Sequence, residues 1–282
     1  MTSRRTGFLL TAGMLLGLFS ELPQATAHQG LHRQIEALSR RIGSSPREPA
    51  LYLRRGELYR RHGDWSEALA DFDHAQKLAP ELVDVEFHKG RLLLSAGKPK
   101  EAKESLDRFL AVKRHHILAL VTRARARVKL GEFLAAARDY GTATARLRDG
   151  GQKARPEYYL ECARALQAAG EIHVDAAARC LDEGIRCLGP LPSLQNAAIR
   201  LELLRKRYDA ALRRLDQTFG KQARKENWLA RRADILAEAG RDAEARAALE
   251  AAITALDLLP VHRRQTRAVS RLRAKLLSTL ER

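Results

Sequence analysis

Aromatic residues make up only 5% of the 282-residue chain, cysteine appears three times, and runs of β-branched residues are nearly absent. A sheet-built fold draws on β-branched and aromatic side chains, so their scarcity beside abundant Ala, Leu and Arg points to an all-α chain. Three cysteines are too few for a disulfide framework, which leaves a helical core to do the stabilising. Catalytic constellations are missing too. There is no glycine-rich phosphate loop, no His-Glu-x-x-His pair, no serine in a nucleophile elbow and no Cys or His spacing suited to a closed zinc site. His115 and His116 are adjacent, so on a helix they point about 100° apart, cannot easily share one ion, and read as solvated linker residues. The expectation is a non-enzymatic protein with no cofactor and no metal site. Acidic residues are outnumbered, 34 Asp plus Glu against 51 Lys plus Arg, a formal net charge of +17. That balance bears on anionic partners and solubility, not on fold.

What the chain has in quantity is a recurring spacing of small and bulky residues. From Pro49 to Pro80, Gly56, Ala68 and Ala75 are small where two helices must approach closely, and Tyr52, Tyr59, Trp65 and Phe72 fill the space around that contact. Gly63 turns the chain, Asp64 with Glu67 forms a capping-box signature for the second helix, and Pro80 stops it. The small residues return as Gly90, Gly97 and Ala102, then as Ala124, Gly131, Ala136 and Ala143. A polar loop, Asp149 to Arg155, lengthens one connection before a unit marked by Ala163, Gly170, Ala177 and Leu181. The fifth unit has Ile199 where a small residue is expected and Lys206 in place of the turn glycine, and the sixth returns to register with Ala233, Gly240, Ala245, Leu249 and Ala252. This spacing resembles the tetratricopeptide repeat, whose aromatic, Gly, Ala and Pro signature recurs about every 34 residues. The resemblance implies a right-handed α-solenoid of about six stacked helix-turn-helix repeats over residues 49–260, with capping helices at both ends, serving as a protein-binding scaffold.

The ends carry their own patterns. Arg4 and Arg5, the apolar run Phe8 to Phe19, Pro23 and the site Ala25-Thr26-Ala27 form a secretory signal over residues 1–27, with cleavage expected after Ala27. The run is shorter than the ~20 residues a membrane span needs. A periplasmic or secreted protein is expected. Leu31, Ile35, Leu38 and Ile42 recur at helical spacing, so residues 28–48 should supply an N-terminal capping helix ending at Gly43-Ser44-Ser45-Pro46. Residues 261–282 should form one C-terminal basic capping helix, with Val269, Leu272, Leu276 and Leu280 opposite Arg263, Arg264, Arg267, Arg271 and Lys275. Cys180 and Cys187 are seven residues apart on one helix, about 10.5 Å, too far to bridge. Three buried thiols are expected, with a Cys162–Cys180 bridge as the alternative.

Aligned on the small contact residue, the first helices place Glu57, Arg91, Arg125, Arg164, Arg200 and Asp234 one residue later, about 100° around each helix. Four arginines would then climb the middle of a concave groove. One turn earlier stand Leu53, Phe87, Val121, Leu160, Asn196 and Ala230, mostly apolar. The expected binding residues are Arg91, Arg125, Arg164 and Arg200 with Phe87, Val121, Leu160 and Asn196. The matching partner is a protein segment carrying carboxylates and apolar side chains, in the manner of the family's carboxylate-clamp members, within an envelope protein complex. The alternative is an anionic polymer: envelope glycan, lipid head groups, or nucleic acid if the chain is not exported. Nucleic acid is disfavoured because the aromatics sit at core positions rather than interleaved with the cations.

Overall fold

A computed structural model describes the backbone of residues 22–219 and 225–281, with side chains from residue 30 onward. Among these residues there is no β-strand, and the architecture is an α-solenoid in which successive helices pair. The chain forms two compact units, one ending at Ala96 and the other beginning at Gly97. Of the expected leader, residues 1–27, all but 22–27 lies outside the described residues, and those six open the first helix.

The first unit contains α1 (Leu22–Ser44), α2 (Pro49–His62), α3 (Trp65–Leu78) and α4 (Asp84–Ser95). Helix α2 packs against α3 through Gly56, where an added Cβ would come within 2.5 Å of the Phe72 ring. Any side chain there would drive the helices apart. Leu51, Ala68, Phe72, Ala75 and Val85 close around this contact, and Ile42 of α1 joins them. The Tyr52 hydroxyl donates to the Pro46 carbonyl at 2.9 Å, pinning the chain that enters α2. Two residues behave differently from expectation. Trp65 is 40% exposed rather than part of the filling. Asp64 makes no side-chain cap bond to α3 and instead accepts from His62 Nδ1 at 2.8 Å.

The second unit runs through α5 (Pro99–Val112), α6 (Ile117–Lys129), α7 (Phe133–Asp149), α8 (Pro156–Ala168), α9 (Val174–Leu188), α10 (Pro192–Leu204), α11 (Tyr208–Phe219), α12 (Glu226–Glu238), α13 (Asp242–Asp257), α14 (Val261–Arg264) and α15 (Arg267–Leu280). Helix α6 pairs with α7, α8 with α9, α10 with α11 and α12 with α13. His116 is not a linker residue: its Nδ1 accepts from the Ala119 backbone at 3.2 Å and caps α6. Gly131 and Gly240 turn at φ 76° and 71°, and Lys206 holds the equivalent left-handed place in the α10–α11 turn at φ 53°. Ile199, at the contact position of α10, is fully buried. The expected single C-terminal helix is broken at Gln265 and Thr266, and only α15 presents the apolar stripe: Val269 and Leu276 are buried and Leu272 and Leu280 pack on the same cluster, against α13.

The cysteines depart from the expected three thiols. Cys162 of α8 and Cys180 of α9 form a disulfide with Cα atoms 6.7 Å apart, and Cys187 is free. The two helices present these positions face to face at their contact, which is the geometry that favours a bridge over two buried thiols.

Candidate binding face

Three positions of each first helix decide its chemistry: the residue before the contact residue, the residue after it, and the residue two before it. The first faces inward. Arg55 forks onto Asp71 of α3 through Nε and Nη2 at 2.8 and 2.7 Å and reaches Ser39 with Nη1 at 2.9 Å. In α4 the equivalent Lys89 bonds Asp73 at 2.7 Å and Gln76 at 2.6 Å. In the second unit Arg123 forks onto Asp139 of α7 at 2.9 and 2.7 Å and reaches back to Asp107 of α5 at 2.8 Å. Arg127 adds a 2.7 Å bond to the same Asp139. Arg232 of α12 likewise pairs with Asp216 of α11. In α8 this position is Cys162, and its disulfide partner Cys180 takes the place of Asp71 and Asp139. A covalent bond therefore stands in the fourth repeat where an Arg–Asp fork stands in the first and third. These are structural crosslinks.

The other two positions face outward and meet each other between neighbouring first helices. In the first unit Glu57 accepts from Arg60 at 2.9 and 2.8 Å and pairs with Arg91 of α4 at 3.1 Å. Burial works to raise the Glu57 carboxyl, and hydrogen bonds from Arg60 and His88 with the Arg91 charge outweigh it, holding the group at about 2. Arg91 lies half-buried, 5.5 Å over the Phe87 ring, and burial lowers its guanidinium despite Glu57. In the second unit Arg125 forks onto Glu161 of α8 at 2.9 and 3.0 Å. That hydrogen-bonded pair raises the Arg125 guanidinium. Burial, with Glu161 second, also pushes the Tyr140 hydroxyl up.

From α8 onward the arginines at these outward positions make no ion pair among the described residues. The residue two before the contact is Ala197 in α10, so Arg164 has nothing to pair with; it is exposed and has no ion pair or hydrogen bond among the described residues. In α12 that residue is Arg231, which meets Arg200 as a like charge. Burial lowers the Arg231 guanidinium and the Arg200 charge lowers it further, with the Asp234 charge opposing both. Among the described residues its side-chain hydrogen bond runs from Nη1 to Asn196 Oδ1 at 2.6 Å, and Asn196 lies one turn before Arg200 on the same face of α10. Asp234, next in the series, is drawn to Lys275 of α15 at 3.6 Å.

The residues expected to line a groove thus fall into separate groups. Arg91 and Arg125 are already engaged by carboxylates, whereas Arg164, Arg200 and Asn196 face the open stretch together with Arg231, which the sequence alignment passed over. Phe87 and Val121 are 8% and 2% exposed and belong to the core, because three residues from the contact is the contact face itself. Leu160 is half-buried. Reading the second outward position along the repeats would have exposed Arg231. No group of His, Cys, Asp and Glu among the described residues could hold a metal ion, and no described helix is long and apolar enough to cross a membrane.

Residues 49–82 match the tetratricopeptide repeat family model. Those residues form one tetratricopeptide repeat. Solved structures share its fold: the C-terminal part of a tetratricopeptide repeat-containing protein from Cytophaga hutchinsonii at 13% identity, TM-score 0.62, covering 82% of this chain and 95% of that one. A tetratricopeptide repeat protein from Parabacteroides merdae aligns at 17% identity and TM-score 0.51 over 90% and 95%. PilF of Pseudomonas aeruginosa aligns at 14% identity and TM-score 0.51 over 80% and 97%. No curated protein matches. Tetratricopeptide repeats generally mediate protein–protein interaction, and these likenesses carry the repeat fold and no particular partner.

Proposed function

We propose that the chain is a non-catalytic scaffold that holds an acidic, partly apolar segment of a partner protein on the stretch spanning α8, α10 and α12. One observation carries this reading: Arg91 and Arg125 are paired with Glu57 and Glu161, whereas among the described residues Arg164, Arg200 and Arg231 make no ion pair with a carboxylate, and Arg200 and Arg231 repel, a repulsion that the Asp234 charge offsets only in part. A partner carboxylate between Arg200 and Arg231 would relieve that repulsion and receive charge-assisted hydrogen bonds, with Asn196 orienting Arg231. Each desolvated contact would contribute roughly 1.5–3 kcal/mol. Export to the periplasm or beyond is the setting favoured, since the leader pattern of residues 1–27 and the Cys162–Cys180 disulfide both suit an oxidising compartment.

Arg231→Glu tests it. That change recreates beside Arg200 the kind of pair Arg125 makes with Glu161. The variant should fold with unchanged or slightly higher melting temperature while affinity for the crosslinked, purified native partner falls at least tenfold. Undiminished affinity of the variant would refute the assignment. Affinity that falls steeply with salt and ignores partner sequence would instead mark an anionic polymer as the ligand.

A further inference from the structure

The opposite character appears at the turns that join paired helices in the second unit. Ile172, in the 3-10 turn Glu171–His173 that leads into α9, is 87% exposed, and Leu204, at the end of α10, is 67% exposed. An Arg205–Asp175 ion pair holds the α10–α11 turn beside the start of α9, so the two aliphatic tips stand on one edge. An Arg241–Asp209 pair at 2.9 Å brings the α12–α13 turn alongside as well. Between the last two turns lies a cavity of about 760 Å³ whose lining includes Lys206, Arg207, Tyr208, Arg213 and Arg241. Arg205 and Arg241 are engaged by carboxylates, Arg241 also by Glu244 at 2.7 and 2.6 Å. Lys206, Arg207 and Arg213 have no ion-pair partner among the described residues.

We infer that this edge docks on an anionic bilayer surface, with Ile172 and Leu204 entering the boundary of head groups and acyl chains and Lys206, Arg207 and Arg213 meeting the lipid phosphates. The chemistry selects that occupant. Protruding aliphatic side chains on an edge whose neighbouring cavity carries cations without ion-pair partners are the makings of an interfacial anchor. A protein-binding core would instead be built on buried aromatic and arginine anchors, and a nucleic-acid face would carry stacking aromatics. Lys206 adds a separate argument. Its φ of 53° is the left-handed conformation that glycine supplies at Gly63, Gly131 and Gly240, so lysine here keeps a strained turn in exchange for a cation at the cavity. The site is independent of the arginines on α8, α10 and α12.

The experiment is cosedimentation of the full chain with vesicles of phosphatidylcholine alone or with about a third phosphatidylglycerol, a composition chosen to supply negative surface potential. The wild type should bind the anionic vesicles at least tenfold more tightly than the neutral ones. Lys206→Gly with Arg213→Gln should lose roughly 25-fold, about fivefold per cation, while the melting temperature stays level or rises because the turn strain is gone. Ile172→Ser with Leu204→Ser should also weaken binding. Arg267→Gln with Arg271→Gln on α15 removes the same charge elsewhere and should leave binding unchanged. Wild-type protein that does not prefer anionic vesicles would overturn the inference, as would turn variants that bind like wild type or an α15 variant that loses as much as they do.

Discussion

Asp139 is 5% exposed and accepts from two arginines, Arg123 and Arg127, so its charge is held in the interior only by those forks. Replacing it with alanine leaves Arg123 with its bond to Asp107 and Arg127 with the Ala135 carbonyl and the more distant Glu132, and unfolding of Asp139→Ala should show a loss of about 1.5–3 kcal/mol, the worth of charge-assisted hydrogen bonds. A loss under 1 kcal/mol, the ordinary worth of an exposed pair, would show that the forks are surface decoration. Glu57 makes a pH-dependent contribution of the opposite kind to a raised histidine. Its folded-state value is lowered to about 2, below an unfolded value of 4.5, so the native state binds fewer protons than the unfolded one. The stabilisation is therefore present above the unfolded value and is lost as pH falls through the folded one. Glu57→Gln should flatten the melting temperature of the protein between about pH 4.5 and pH 2 relative to wild type. An identical acid limb in both proteins would contradict the pairing with Arg60 and Arg91.

At the scale of helices and turns, the disulfide is the element-level surprise. By joining α8 to α9 it closes a loop of 18 residues, which in the chain-entropy account stabilises by about 3 kcal/mol. The Cys162→Ala, Cys180→Ala variant should unfold at correspondingly lower denaturant, and a reducing agent should move wild type to the same midpoint. An unchanged wild-type midpoint under reduction would mean the bridge contributes nothing. Much of the helical layout was legible in advance, because small residues at close contacts and glycines in left-handed turns are demands of the backbone that composition cannot disguise. Gly56 against Phe72 and Gly131 in its turn are examples. The rest depended on what neighbouring helices present. Asp64 looked like a cap but its oxygen was claimed by His62; Cys162 looked like a buried thiol until Cys180 faced it; and the break before α15 left no proline or glycine to announce it. The candidate face was half legible for the same reason. Arg164 and Arg200 could be found by register alone, but whether an arginine is open or already paired depends on the residue two before the contact in the next helix, which is Glu161 in one case, Ala197 in another and Arg231 in a third.

Across the whole molecule a net charge of +17 could signal nothing more than a solvated surface. What gives the charge direction is its uneven neutralisation: inward cations are forked onto aspartates, the outward Arg91 of α4 and Arg125 of α6 are matched by glutamates, and among the described residues the outward Arg164, Arg200 and Arg231 of α8, α10 and α12 make no ion pair. The central claim is that open positions bind and matched ones do not. Its most direct test is the affinity of the native partner for Arg200→Gln against Arg125→Gln, each removing one positive charge from the same series of positions. The account predicts at least a tenfold loss for Arg200→Gln and little change for Arg125→Gln, since Glu161 already occupies that fork. Equal losses from the two, or a larger loss from Arg125→Gln, would contradict it.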